Sequence, residues 1–147
     1  MSSPVTIDAS VFVSAFSPAE AAHRDSKTFM TRVRETSAPV IIPTLVLPEV
    51  AAAISRGQGK PELGIAFALE LVNFPNLILV DVDKGMAKLA AETAAHHRLR
   101  GSDAVYAAVA LRFGSLLVTL DFEQSERLKD VLSMHSPTQV LEVLKSP

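Results

Sequence analysis

Short runs of apolar residues alternate along the chain with longer segments in which apolar positions recur at helical spacing. Uninterrupted runs of aliphatic residues predict strands that are buried on both faces, as in a parallel sheet between helices. Such strands are predicted at residues 5–7, 39–42, 76–80 and 116–119, and a weaker run predicts a fifth at 131–134. The pattern therefore predicts a parallel sheet of four to five strands that are connected by helices.

Polar and proline residues mark where these helices begin. Ser17, Pro18 and Glu20 form a capping box, which predicts a helix from this point to about residue 35. Gly101 is expected to end another helix, because glycine is the usual residue after a helix C-terminus. The remaining helices are predicted at 45–56, 61–73, 83–98 and 103–113, with a short one from about 121 and a last one that closes the chain. Four of these helices have short polar N-cap residues, at Thr44, Asp83, Ser102 and Ser136.

The alternation of strands and helices has no internal repeat and no linker, so it predicts a single domain over residues 1–147. The predicted architecture is an α/β fold, a three-layer α/β/α sandwich around a central parallel sheet. With 147 residues, one core can bury roughly two-thirds of the unfolded surface, and folding needs no disulfide or bound metal. In such sheets ligands bind beyond the carboxyl ends of the strands, so polar residues at those ends are candidate functional residues.

Composition excludes several kinds of protein. Hydrophobic residues make up 48% of the chain and charged residues 20%, which excludes a disordered polymer. The absence of cysteine excludes a disulfide scaffold, a thiolate metal site and thiol chemistry. The net charge of −2 gives no general attraction to nucleic acid, so RNA binding would need a local feature. No apolar run approaches the ~20 residues of a membrane span and no basic signal-peptide start is present, so a cytoplasmic location without membrane contact is expected.

Four carboxylates lie near the predicted carboxyl edge of the sheet. Asp8 follows the first strand and Asp121 the fourth, while Glu49 and Asp103 lie early in two helices. Taken singly, each has a structural explanation, as a helix cap, a first-turn acid or a solvent-facing side chain. Placed together they would repel one another, and their pKa values would rise unless a cation lay between them. An all-oxygen set suits Mg²⁺ or Mn²⁺, which could activate water and neutralise a phosphate during in-line displacement.

Four segments around these acids carry a family resemblance. Residues 5–10 (Val-Thr-Ile-Asp-Ala-Ser), 48–50 (Pro-Glu-Val), 100–108 (Arg-Gly-Ser-Asp-Ala-Val-Tyr-Ala-Ala) and 117–121 (Leu-Val-Thr-Leu-Asp) resemble the four motifs of the PIN domain. They occur in the family's order and at its typical separations, over nearly the whole chain. Within the family, the chain is most similar to VapC-type toxin ribonucleases.

The resemblance implies a sheet in the order 3-2-1-4-5 and Mg²⁺- or Mn²⁺-dependent hydrolysis of RNA by water. In the family's pattern Asp8, Glu49, Asp103 and Asp121 form the catalytic acidic cluster. Asp8 and Asp103 would hold the principal ion with assistance from Asp121, while Glu49 would bind it through water or align the nucleophile. The resemblance further implies that Ser10 and Thr119 orient a carboxylate or a metal-bound water, and that Glu123 is a further acidic residue that supports the site.

An acidic nuclease needs local positive charge to hold RNA phosphates. Arg98 and Arg100 lie just before Asp103 and are the predicted RNA-binding residues, whose phosphate contacts would weaken with added salt. The resemblance implies two protein partners as well: a small VapB-like antitoxin whose tail covers the acidic site, and a second toxin copy in a homodimer. The low charge of residues 44–73 is consistent with self-association or with a groove for a partner helix.

Other α/β enzymes match less well. The first strand lacks a following G-x-G-x-x-G or G-x-x-x-x-G-K-[ST] loop, which disfavours Rossmann and P-loop nucleotide binding. Ser10 stands where a haloacid-dehalogenase phosphatase has its second aspartate, and a receiver domain would need an acidic pair near the end of the first strand. Two alternatives remain open: a catalytically inactive PIN-like RNA- or protein-binding module, and a housekeeping RNA-processing nuclease.

Overall fold

A computed structural model describes residues 3–144, which contain a parallel β-sheet with helices between its strands. In chain order, these elements are β1 (Val5–Ile7), α1 (Ala9–Phe16), α2 (His23–Glu35), β2 (Val40–Pro43), α3 (Val46–Gln58), α4 (Pro61–Leu71), β3 (Leu77–Val80), α5 (Lys84–His97), α6 (Gly101–Phe113), β4 (Leu116–Val118), α7 (Phe122–Leu128), β5 (Met134–His135) and α8 (Pro137–Leu144). The single domain predicted for 1–147 and its closing helix extend over residues 1–2 and 145–147, which lie outside the described residues. Within residues 3–144, no helix is both long and apolar enough to cross a membrane.

The five strands of the described chain lie in the order β3-β2-β1-β4-β5, and each neighbouring pair is parallel. This confirms the predicted α/β class and strand order. The central strand β1 pairs with β2 on one side and with β4 on the other, with Val5 opposite both Val40 and Leu116. Because the chain order reverses between β1 and β4, the carboxyl ends of these strands form the crevice where parallel sheets bind ligands.

Two apolar clusters cover opposite faces of the sheet. Val40 and Ile42 of β2 belong to the larger cluster, which includes side chains of α1, α2 and α3. Ile41 instead packs with Met86 of α5 and Ala108 of α6 in a smaller cluster. Successive residues of a strand point to opposite faces, so these assignments place helices on both sides of the sheet. The three-layer arrangement predicted from the sequence is therefore correct.

The capping box at Ser17 does not open a long helix. Residues 9–16, which directly follow β1, form α1, while residues 17–22 form turns and α2 begins only at His23. The Glu20 N–H donates to the Ser17 carbonyl, so the Ser-Pro-x-Glu pattern makes a single turn between two helices. The apolar stripe of α1, with Val11 and Phe12 buried, is what fixes this arrangement, since burial outweighs a local cap.

The junction between α5 and α6 also differs from the prediction. Arg98 ends α5 in a left-handed conformation (φ 54°), a conformation more usual for glycine. Gly101 is then the first residue of α6, with Arg100 as its N-cap. Ser102, predicted as that cap, lies inside the first turn and hydrogen-bonds Glu49 instead. The helix thus begins earlier than predicted.

Most of the other boundaries differ from the predictions by one to three residues, and two of them change a predicted cap or strand. Leu45 rather than Thr44 is the N-cap of α3. The fifth strand lies at Met134–His135 rather than 131–134, because the Val131 and Leu132 N–H groups both donate to the Leu128 carbonyl and extend the turn after α7. Two predicted caps are confirmed by backbone N–H groups bound to the cap side chains, at Asp83 and Ser136.

Candidate active site

The four predicted acids line one cavity of about 610 Å³ at the carboxyl edge of the sheet. Asp8 is the N-cap of α1 and directly follows β1, and Asp121 is the N-cap of α7 after β4. Glu49 and Asp103 lie in the first turns of α3 and α6. Four distant segments of the chain therefore contribute one carboxylate each to the same cavity.

Asp8 is the most buried of these acids, at 7% exposure. Its Oδ2 atom accepts hydrogen bonds from the hydroxyls of Thr119 (2.8 Å) and Ser10 (3.1 Å). Both donors stand at positions to which the family resemblance assigned the orientation of a carboxylate or a metal-bound water. Since two hydroxyls fix one oxygen, the side chain of Asp8 is held in a single orientation toward the cavity.

The same two hydroxyls connect Asp8 to the segment that carries Asp121. Thr119 Oγ1 accepts a hydrogen bond from the Asp121 N–H (3.0 Å), and Ser10 Oγ accepts one from the Leu120 N–H (3.3 Å). Asp121 in turn caps α7, because its Oδ1 accepts the Gln124 N–H (3.1 Å). The relative positions of Asp8 and Asp121 are therefore set by a hydrogen-bonded network rather than by loop conformation alone.

Glu49 is positioned by α6. The Tyr106 hydroxyl donates to Glu49 Oε1 at 2.7 Å, and Ser102 supplies a second hydrogen bond. Tyr106 is fully buried, so its ring packs in the core while its hydroxyl reaches the cavity. This contact was not predicted from the sequence, although Asp103 and Tyr106 stand three residues apart and so share one face of a helix.

Burial and mutual repulsion raise the pKa values of three acids. Desolvation is the main cause for Asp8 and Glu49, and the hydroxyl donors partly oppose it. Desolvation raises the pKa of Asp103 to about 6, with further contributions from the charges of Asp8 and Asp121, while Arg100 acts in the opposite direction. The cavity thus concentrates negative charge that a bound cation would stabilise.

The donor set fits a hard divalent cation, since carboxylates and hydroxyls surround the cavity and oxygen is the ligand that Mg²⁺ and Mn²⁺ prefer. Among the described residues, however, no three acidic or histidine side chains stand close enough to form a complete set of metal ligands. An ion would therefore have to draw carboxylates inward from their present rotamers. The acids with raised pKa values, Asp8 and Asp103, gain most from binding the ion, because a cation relieves the repulsion between them.

Comparison with known proteins identifies the family. The family model of the PIN domain matches residues 5–129, which include all four acids. The chain belongs to the PIN domain family. Comparison with curated protein sequences gives no match.

Solved structures share this PIN fold at low sequence identity. VapC20 of Mycobacterium tuberculosis, described as a toxin that cleaves the sarcin-ricin loop, has a TM-score of 0.71 and 18% identity, covering 83% of this chain and 93% of its own. VapBC2 of Rickettsia felis, bound to a promoter DNA fragment, has a TM-score of 0.66 at 14% identity, with 90% and 97% covered. VapBC-1 of nontypeable Haemophilus influenzae has a TM-score of 0.66 at 15% identity, with 91% and 98% covered. At these identities the similarity concerns the fold.

Arginines as well as carboxylates line the cavity of this PIN domain, and only some of these arginines were predicted from the sequence. Of the two predicted RNA-binding arginines, Arg100 lines the cavity, whereas Arg98 lies at the C-cap of α5 with its carbonyl bound by Arg127. Arg56 also lines the cavity and was missed, although it follows Glu49 by seven residues, or two helical turns, on α3. Glu123 lies on the exposed side of α7, 3.7 Å from Arg127, outside the described residues that line the cavity.

Proposed function

We propose that this protein is a Mg²⁺- or Mn²⁺-dependent endoribonuclease of the VapC toxin type. The observation that carries the proposal is the convergence of Asp8, Glu49, Asp103 and Asp121 on one cavity of a PIN fold. An inactive binding module would have no need to keep four acids together in one cavity, where the raised pKa values of Asp8, Glu49 and Asp103 report an energetic cost. Proteins of the PIN family are nucleases, which supports the hydrolysis of a phosphodiester bond.

In the proposed mechanism, Asp8 and Asp103 would hold the divalent ion, with assistance from Asp121. When bound, the ion supplies Lewis-acid activation of water and neutralises charge on the phosphate. Ser10 and Thr119 keep Asp8 oriented through their bonds to its Oδ2. Glu49, held at its Oε1 by Tyr106, aligns the attacking water by accepting a hydrogen bond from it.

The proposed substrate contacts lie at the cavity rim. Arg100 and Arg56 line the cavity and are exposed, so they would bind the RNA phosphates that flank the scissile bond. Arg98 is exposed two residues before Arg100 and would contact the phosphate backbone farther out. Each such contact makes RNA binding weaker at higher salt, because phosphate neutralisation releases counterions.

Two protein partners are proposed, a VapB-like antitoxin and a second copy of this chain. Solved VapBC complexes share this fold, which supports a VapB-like antitoxin as partner. A homodimer is also proposed, supported by aliphatic side chains of α4 and the following residue that are more than a third exposed: Leu63, Ile65, Leu69 and Val72. As an RNA-cleaving toxin the protein would act in the cytoplasm, where its substrate is found.

The purified protein is expected to cleave RNA when Mn²⁺ or Mg²⁺ is present and to stop when EDTA is added. Because water is the proposed nucleophile, the products should carry no 2′,3′-cyclic phosphate, which a metal-independent ribonuclease that uses the 2′-hydroxyl would leave. The measurement is gel analysis of end-labelled RNA together with mass spectrometry of the product ends. Cleavage that persists in EDTA, or that yields cyclic phosphates, would contradict the proposal.

A further inference from the structure

Phe122 is an exposed aromatic residue directly beside the proposed active site. It follows Asp121 in the chain and is the first residue of α7. Its side chain is 73% exposed, the largest value among the exposed large apolar side chains of the described residues. Burying an exposed ring gains free energy, so Phe122 is suited to contact another molecule that binds beside the active site.

A second cavity, of about 550 Å³, adjoins the acidic one. Asp121 lines both cavities, and Phe122 lines the second. The second cavity therefore continues the acidic cavity past Asp121, in a direction that a substrate strand extending from the site can follow.

The groups in the second cavity suit a neutral, hydrogen-bonding ligand. Among the described residues, one lysine lines it, Lys129, which lies 3.4 Å from Glu126, so these residues offer little net attraction to a phosphate. Ser133 and Gln139 line it with groups that both donate and accept hydrogen bonds. His135 also lines it, and a neutral imidazole ring has one nitrogen that donates and one that accepts a hydrogen bond.

We propose that this second cavity holds the nucleobase of an RNA nucleotide next to the scissile phosphate, with the base stacked on Phe122. This inference rests on the proposed ribonuclease function and names a specificity-determining site for it. A base has an apolar face for the ring and polar edges for His135 and Gln139, whereas its phosphate can remain near Arg100 in the acidic cavity.

A protein partner is a poorer match for this surface. The other exposed side chains of α7 are charged, namely Glu123, Glu126 and Arg127. A stable protein interface requires roughly 800 Å² of each partner, which one aromatic ring among charges does not supply. One ring is, however, the size of platform that a single base requires.

The test combines protein variants with RNA that lacks one base. Short single-stranded RNAs carry an abasic ribonucleotide at each position flanking the cleavage site, and kcat/KM is measured with Mn²⁺. For one flanking position, the wild-type protein should lose at least about fivefold in kcat/KM when the base is removed. Phe122→Ala should lose a similar factor on intact RNA and nothing further on that abasic RNA, while Phe122→Tyr should retain wild-type values.

Phe113→Ala is the matched control, since Phe113 is also exposed but lies at the other end of α6, about 18 Å from its start. It should leave kcat/KM unchanged. Equal kcat/KM for Phe122→Ala and wild type, or effects of Phe122→Ala and base removal that simply multiply, would overturn the stacking site while ribonuclease activity stands. A change in apparent mass of Phe122→Ala with unchanged cleavage would also overturn it, in favour of a protein contact. A wild-type protein that cleaves no RNA would overturn both this inference and the proposed function.

Discussion

Replacing Asp103 with asparagine is expected to lower the rate of RNA cleavage by at least about 100-fold. The asparagine keeps the size of the side chain but removes one negative oxygen from the proposed set of metal ligands. Asp103 interacts electrostatically with each of the other three acids, so it is central to the charge that would hold the ion. The measurement is the single-turnover rate of RNA cleavage in saturating Mn²⁺.

The same substitution should make the metal-free protein more stable. Desolvation and neighbouring carboxylates raise the pKa of Asp103 from its usual 3.8 to about 6 in the folded state. Between these values the folded protein binds more protons than the unfolded chain, so stability is lost as pH rises through this window. At pH 7, Asp103→Asn should therefore gain about 1–2 kcal/mol, after allowance for partial exposure, and near pH 4 it should gain almost nothing.

The control for both effects is Asp130→Asn, the same chemical change at an exposed position after α7. It should leave the cleavage rate at the wild-type value and should not stabilise the protein at pH 7. Cleavage by Asp103→Asn within a few-fold of wild type would remove this residue from the mechanism. A loss of stability at pH 7 would show that burial and the neighbouring carboxylates do not destabilise ionised Asp103 in the folded protein.

Replacing Gly64 with alanine is expected to destabilise the protein by about 2 kcal/mol, although alanine is the better helix former. Gly64 lies in α4 where that helix meets α3, and a Cβ atom there would overlap the Ala51 carbonyl oxygen and lie 3.2 Å from the Ser55 nitrogen. These neighbours are backbone atoms, so they can move only if the helices separate. Urea unfolding measured at pH 7 gives the change directly.

Gly57→Ala is the matched control in the same pair of helices, and the opposite change in stability is expected for it. Gly57 lies in α3, and a Cβ atom there meets no described atom within 4 Å. This substitution should stabilise the protein by about 0.5–1 kcal/mol, because only helix propensity and unfolded-state entropy change. If Gly64→Ala also stabilised the protein, the close packing of α3 on α4 would be wrong.

Much of the fold could be predicted because each buried strand requires several consecutive apolar residues, so its position is marked by many residues at once. Runs such as Ile78–Leu79 and Leu116–Leu117 are apolar whatever turn or cap residues lie next to them, and the strand positions were predicted from these runs. The capping box at Ser17 failed because a cap reports only a local turn, whereas the burial of Val11 and Phe12 decides where the helix lies. The left-handed Arg98 could not be foreseen, since the sequence offered a glycine three residues later.

The candidate site also contains residues that could be predicted from the sequence and residues that could not. The four acids could be predicted, because each follows a strand or begins a helix at the edge where parallel strands end. The hydrogen bond from Tyr106 to Glu49 could not, because it joins residues 57 positions apart and depends on how α6 packs beside α3. Arg56 was missed although its helical spacing from Glu49 was visible, since its place in the cavity depends on the direction of α3 relative to the sheet.

The central claim is that the acids of this cavity bind a divalent ion together, and Mn²⁺ titration tests it most directly. Wild-type protein should bind Mn²⁺ saturably in calorimetry, and its Tm should rise by about 5–10 °C at a concentration near 100 times the Kd. Asp103→Asn should lose at least about tenfold in Mn²⁺ affinity and most of the Tm rise. If wild type and Asp103→Asn bound Mn²⁺ equally, or if Mn²⁺ left the Tm of wild type unchanged, the cavity would not be a metal-dependent catalytic site.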